Sequence, residues 1–203
     1  PILSPDDAIV AMEALDSGQS TDINLFDVAR RAETRLTSDP ALDAIPRWSP
    51  DGTEIVFASA RDNLPPNLFR KAARGVGSEE RLLKTGLIQN PTDWARDESI
   101  VFAMLDPKTQ WDLWRLPMDP VSAESRTPVP LLQTPFNEYN GQVSPDGRWM
   151  AYESDESGDY EIYVRAFAAP SGASRTQIST NGGIQPLWRR DGRVLFYLAF
   201  DTT

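Results

Sequence analysis

An all-β fold of tandem four-stranded antiparallel sheets is predicted by three observations. First, a turn phrase built on aspartate occurs five times: Ser4-Pro5-Asp6-Asp7, Ser49-Pro50-Asp51-Gly52, Ala95-Arg96-Asp97-Glu98, Ser144-Pro145-Asp146-Gly147 and Arg189-Arg190-Asp191-Gly192. The intervals between its aspartates are 45, 46, 49 and 45 residues. Second, every turn has the same flanks, a large apolar residue before it and a short β-branched or aromatic run after it. Third, each interval holds about four such runs and no convincing helical period. Four strands every 40–50 residues or so is the period of a β-propeller blade. One blade buries too little apolar surface alone, so neighbours must stack to share a core. A β-sandwich would account for the strands but not for the recurring phrase.

The elements follow in order within each period. The first strand ends on Leu3, Trp48, Trp94, Val143 or Trp188. The turn comes next: Pro presets φ near −65°, Asp bonds nearby amides, and Gly accepts the positive φ that reverses the chain. Where Asp7 or Glu98 replaces Gly, the reversal has to tolerate strain or shift register. Second strands are expected over 9–12, 55–58, 100–103, 149–152 and 194–197, and third strands over 22–28, 66–72, 111–117 and 160–166. Short fourth strands are expected within 33–39, 79–85, 128–134 and 175–181. The chain thus reads as one domain over 1–203, with repeats near 1–45, 46–91, 92–140 and 141–185 and a partial one at 186–203.

Composition narrows the chemistry. A net charge of −10 repels a phosphate backbone and gives no grip on anionic membranes. With no Cys, neither disulfides nor thiolate catalysis can occur, and with no His the usual general base and commonest metal ligand are missing. No catalytic residues, cofactor or metal are therefore expected. No apolar run is long enough to span a bilayer, so no membrane insertion is expected of this segment. The opening "PILSPDD" reads as an internal cut in a longer protein.

The phrase Trp48-Ser49-Pro50-Asp51-Gly52 followed by Ile55-Val56-Phe57, with a later aromatic third strand, resembles the PD40 (WD40-like) repeats of bacterial TolB-type β-propellers. Similar repeats occur in the propellers of tricorn protease and prolyl oligopeptidases. The stretch from Trp111 to Ala199 looks closest to extracytoplasmic propellers fused behind bacterial Ser/Thr protein kinases. The resemblance implies a fragment of a six-bladed propeller in a periplasmic or extracytoplasmic setting. It implies a noncatalytic module that binds a protein, peptide or small ligand. The alternative it offers is a sensor or accessory propeller of a receptor-type kinase or S9-type peptidase. No kinase signature stands in this chain, so on that alternative the catalytic domain lies elsewhere.

The turn aspartates Asp6, Asp51, Asp97, Asp146 and Asp191 fall in different blades and read as turn structure. Trp48, Trp94 and Trp188 read as sheet-to-sheet packing. Trp111 and Trp114 lie on opposite faces of one strand, which leaves one of them free for ligand contact. Glu153, Asp155, Glu156 and Asp159 form an acidic hairpin tip that reads as solvated, and Asp16 and Asp22 read the same way. The loops leading into the first strands would gather at one mouth of the propeller channel, where ligands dock. They offer Asp39, Asp43, Asn90, Asp93, Asn137, Glu138, Tyr139, Asn140, Asn181 and Gln185 as partner-binding residues, with Tyr139 as the main anchor. Open blade edges would also favour self-association.

Overall fold

The computed structural model describes residues 1–15, 20–118 and 126–200; Asp16 lies outside them. Every helix or strand among the described residues is a β-strand. Among the described residues, contacts divide the chain into two units, 1–94 with Arg126, and 95–118 with 127–200.

In the first unit, β1 (Ile2–Leu3), β2 (Ile9–Leu15), β3 (Thr21–Asp27) and β4 (Ala32–Arg35) form one sheet in chain order. A second sheet repeats the plan with β5 (Asp43–Trp48), β6 (Glu54–Ser59), β7 (Asn67–Ala72) and β8 (Glu80–Arg81). Strand β9 (Gln89–Trp94) packs on β5, β6 and β7. In the second unit, β10 (Ser99–Asp106), β11 (Gln110–Pro117) and β12 (Val129–Leu132) run side by side. A four-stranded sheet follows, of β13 (Glu138–Val143), β14 (Trp149–Ser154), β15 (Glu161–Ala166) and β16 (Arg175–Gln177), and then the pair β17 (Gly183–Trp188) and β18 (Leu195–Ala199). Within each unit neighbouring strands are antiparallel, as a blade requires.

The recurring phrase is the hairpin after the first strand. Ser49 Oγ donates to Asp51 Oδ1 at 2.6 Å and accepts the Glu54 N–H at 2.9 Å, while the Gly52 N–H closes the turn on the Ser49 carbonyl at 2.9 Å. The same bonds recur around Ser4 and Ser144. Gly52, Gly147 and Gly192 adopt φ of 72°, 72° and 68°; Asp7 and Glu98 adopt 63° and 60° in their place. The reversal therefore keeps its geometry without glycine and places a side chain in the left-handed region. Hydrogen bonds from Ser144 and from Arg148 pull the Asp146 carboxyl down to about 2. The aspartates hold their own turns, and Asp97 also meets Arg115 of β11 at 3.4 Å.

The second strands β6 and β10 read as unbroken apolar runs because both of their faces are covered. Ile55, Val56 and Phe57 are fully buried, and so are Ile100, Val101, Phe102 and Ala103. Between the first two sheets the core is made by Ala11, Ile23, Leu25, Trp48, Ile55, Phe57 and Phe69. In the second unit Val101, Leu113, Leu131, Val143, Met150, Tyr152 and Tyr163 play that part.

Polar contacts pin each sheet to the next. Trp48 Nε1 donates to the Ile2 carbonyl at 3.1 Å, and the equivalent Trp188 Nε1 donates to Gln142 at 3.0 Å. Lys71, at the end of β7, donates to the Leu36 carbonyl of the preceding blade at 2.8 Å. Arg165, its counterpart on β15, donates to the Leu131 carbonyl at 2.9 Å. Gly141 lies so close to the third sheet that a Cβ would stand 3.0 Å from Leu113 and 3.3 Å from Val101. A larger residue there would force the two sheets apart.

Candidate functional site

The loops before the first strands do carry polar residues, but most of these are fasteners. Each loop places a hydroxyl between an acid or amide opening the third strand of one sheet and the residue opening the next first strand. Thr37 Oγ1 accepts the Ile23 N–H at 2.9 Å, reaches Asp22 Oδ1 at 3.2 Å and supports Asp43. Thr85 accepts from Gln89 at 2.7 Å, and Asn67 accepts the Thr85 N–H at 3.0 Å. Thr134 donates to Glu138 Oε1, and Ser179 donates to Glu161 Oε2 while accepting the Ile162 N–H at 2.8 Å.

A second device holds the first strands themselves. The register skips between Ala44 and Arg47 in β5, Tyr139 and Gln142 in β13, and Ile184 and Leu187 in β17. At the skip Ile45, Asn140 and Gln185 take φ of 56°, 48° and 54°. Such a bulge frees a backbone N–H. Glu13 Oε1 accepts that of Ile45 at 2.9 Å, and the equivalent Glu153 accepts that of Gln185. In β9 this position is Pro91, which has no N–H, and the residue equivalent to Glu13 is Ala58. The pairing is not general: facing the Asn140 bulge of β13, the residue equivalent to Glu13 is Met104.

Against this pattern the ten candidate residues separate. Asp43 is fully buried and meets Arg61 Nη2 at 3.1 Å; Asp39, 3.6 Å from the same guanidinium, also accepts the Ala41 N–H at 2.9 Å. Burial nonetheless raises the Asp43 carboxyl above its usual range. Asn90 and Asp93 are half-buried on β9, and Asp93 accepts the N–H of Trp94 at 2.9 Å. Asn137 is clamped by Asp155, through its N–H at 2.9 Å and its Nδ2 at 2.7 Å. Glu138 is 1% exposed. Asn140 Nδ2 donates to Glu153 Oε1 at 2.6 Å. Tyr139 is half-buried and meets Trp111 edge-on, with ring centroids 5.0 Å apart. Asn181 and Gln185 are exposed.

Two units carry these residues, Asp39 to Asp93 in one and Asn137 to Gln185 in the other, and each unit forms its own group. Sequence reasoning passed over Phe136, which is 40% exposed beside Asn137. It also passed over Arg61 and Glu13, and it read Glu153 and Asp22 as solvated, whereas they are 5% and 2% exposed. The recurrence of a hydroxyl at 37, 85, 134 and 179, and of glutamate seven residues past the turn aspartate at 13 and 153, was the available signal. The acids with raised pKa, Asp43, Asp112, Glu138 and Glu153, all sit between sheets, where desolvation is the largest cause. Among the described residues no group of three acids could hold a metal ion; Asp155 and Glu156 are taken instead by Asn137 and Arg175.

Solved structures share this fold. A putative TolB from Agrobacterium tumefaciens superposes with a TM-score of 0.83 over 99% of this chain and 69% of its own, at 17% identity. The chain has the TolB-type β-propeller fold. TolB from Acinetobacter baumannii gives a TM-score of 0.79 at 16% identity, over 98% of this chain and 48% of that one. A structure from a study of two prolyl endopeptidases gives 0.66 at 12% identity, over 93% of this chain and 29% of that one. This TolB-type propeller chain therefore spans between about a quarter and two thirds of these proteins. No family model matches the sequence.

Proposed function

We propose that the chain is a noncatalytic binding module that uses the loop ends of its blades to hold a protein or peptide. The observation that carries this reading is the segment from Phe136 to Asn140. It presents an exposed aromatic ring and a Trp111–Tyr139 pair on a backbone fixed by Asp155, Glu153 and Thr134. Rigid aromatic anchors flanked by satisfied polar groups are what a binding hot spot needs. Asn181 and Gln185 extend the surface. An extracytoplasmic setting follows from the TolB resemblance and belongs to the same proposal.

Self-association is a further part of it. Phe196 is 53% exposed on β18, whereas its repeat equivalents Val56 and Phe102 are fully buried. The fifth sheet therefore offers an apolar face of the kind that blades cover elsewhere. The alternative, a sensor or accessory propeller within a kinase or peptidase, is supported by the likeness to the prolyl endopeptidase structure and would be decided by the neighbouring reading frame.

A photo-crosslinking residue at Phe136 is expected to trap a partner from an extract of the source cells. The same residue at Trp149, which is 45% exposed at the turn end of the same sheet, is expected to trap none. Equal adducts at both positions, or none at 136, contradict the reading.

A further inference from the structure

The sheet-to-sheet fasteners solve one electrostatic problem in different ways. Where β3 meets β5, two carboxylates are buried, Asp22 and Asp43, and each has its own arginine: Arg35 on Asp22 and Arg61 on Asp43. Where β7 meets β9, the equivalent residues are the neutral amides Asn67 and Gln89. Where β11 meets β13, the residues are Asp112 and Glu138, 0% and 1% exposed, and among the described residues no cation pairs with either. Thr109 donates to Asp112 Oδ2 at 2.6 Å and Thr134 donates to Glu138 Oε1. Asp112 Oδ1 and Glu138 Oε2 are buried with no donor in hydrogen-bond geometry.

We propose that Asp112 and Glu138 form a proton-operated latch that fastens the segment 133–140 to the third sheet when one proton is bound and loosens it when that proton leaves. A proton removes one of two like charges and supplies the donor that the orphaned oxygens lack. The surrounding groups offer no substitute. Asp106, at the end of β10, adds negative charge on Asp112, and burial outweighs what Gln133 and the Thr134 backbone give Asp112 and what that backbone gives Glu138. Glu156, after β14, adds negative charge on Glu138. Arg175 on β16 is engaged by Glu156 through Nε at 2.7 Å and through Nη2. Tyr152 on β14 is buried with an unbonded hydroxyl, and Glu153 is occupied by Asn140 and Gln185. Burial, with Asp112 and Glu156 beside it, raises the Glu138 carboxyl to about 7, against 4.5 for a free glutamate.

The sign follows from linkage. Between pH 4.5 and 7 the folded state binds more protons at Glu138 than the unfolded state does, so this contribution to stability falls as pH rises and levels off above pH 7. The test is the melting temperature of the protein and of Glu138→Gln from pH 5.5 to 8.5, with amide exchange of residues 138–142 corrected for its chemical rate. The protein is expected to lose roughly 4–8 °C across this range and to exchange faster in that segment, while the variant loses distinctly less. Asp112→Asn is expected to move the transition to lower pH. A decline of equal size in Glu138→Gln, no decline in the parent, or an unmoved midpoint in Asp112→Asn overturns the latch.

Discussion

Replacing Arg61 by alanine is expected to lower the unfolding free energy by about 3–5 kcal/mol, because it strips the cation from a buried carboxylate. The Arg61 guanidinium lies 3.1 Å from Asp43, 3.5 Å from Glu79 and 3.6 Å from Asp39, and its side chain is 13% exposed. It also sits 4.8 Å from the Phe69 ring centroid and 6.0 Å from that of Phe57, so charge and packing are lost together. Asp43 is already raised by burial, and removing Arg61 takes away one of the groups that lower it. The deficit should therefore be larger at pH 7 than at pH 5, because the neutral acid is the form the folded site prefers and that preference is lost as pH rises. Urea unfolding followed by tryptophan fluorescence measures it. The double variant Arg61→Ala, Asp43→Asn is expected to recover part of the loss. A single variant within about 1 kcal/mol of the parent would refute the pairing.

The other large effect is expected at Arg165. It is 1% exposed, and every bond it makes among the described residues is to a backbone carbonyl: Leu131 at 2.9 Å, Ser171 at 3.4 Å, Pro170 at 2.6 Å, Ala166 at 3.4 Å, and Ala169. Burial lowers its pKa, yet the five N–H groups of a guanidinium suit such a nest. Arg165→Met keeps the apolar stem and strands the carbonyls, at a cost of about 3–5 kcal/mol if two or three stay buried. The 168–173 loop should become a site of proteolytic nicking. Arg165→Lys should recover some of the stability but not the order of the loop, since one ammonium cannot reach all the acceptors. Unfolding curves and limited proteolysis read both effects; a Met variant with parent-like values would show that the loop is held by other means.

Much of the fold was legible because it is written in local chemistry. Ser49-Pro50-Asp51-Gly52 specifies its turn through Ser and Asp oxygens that bond amides within five residues. The apolar runs after each turn announce strands buried on both faces. The sites were less legible, since the same residue type serves opposite ends. Glu138 and Asp43 read as rim acids but are enclosed, because each opens a first strand whose neighbouring loop folds over it. Tyr139 reads as a free anchor, yet Trp111 from β11 takes one edge of its ring. These contacts join residues about 20–50 positions apart, and only the stacking of sheets brings them together. Phe136 escaped notice because nothing local separates an exposed aromatic from a packed one.

The sheets are fastened one at a time by a loop hydroxyl. Site-resolved amide exchange on Thr37→Val and Ser179→Ala tests this most directly. Thr37→Val is predicted to speed exchange at Ile23 and around residues 43–45 while leaving Ile162 protected, and Ser179→Ala is predicted to do the reverse. A uniform change across both units, or no change at Ile23 and Ile162, would contradict it.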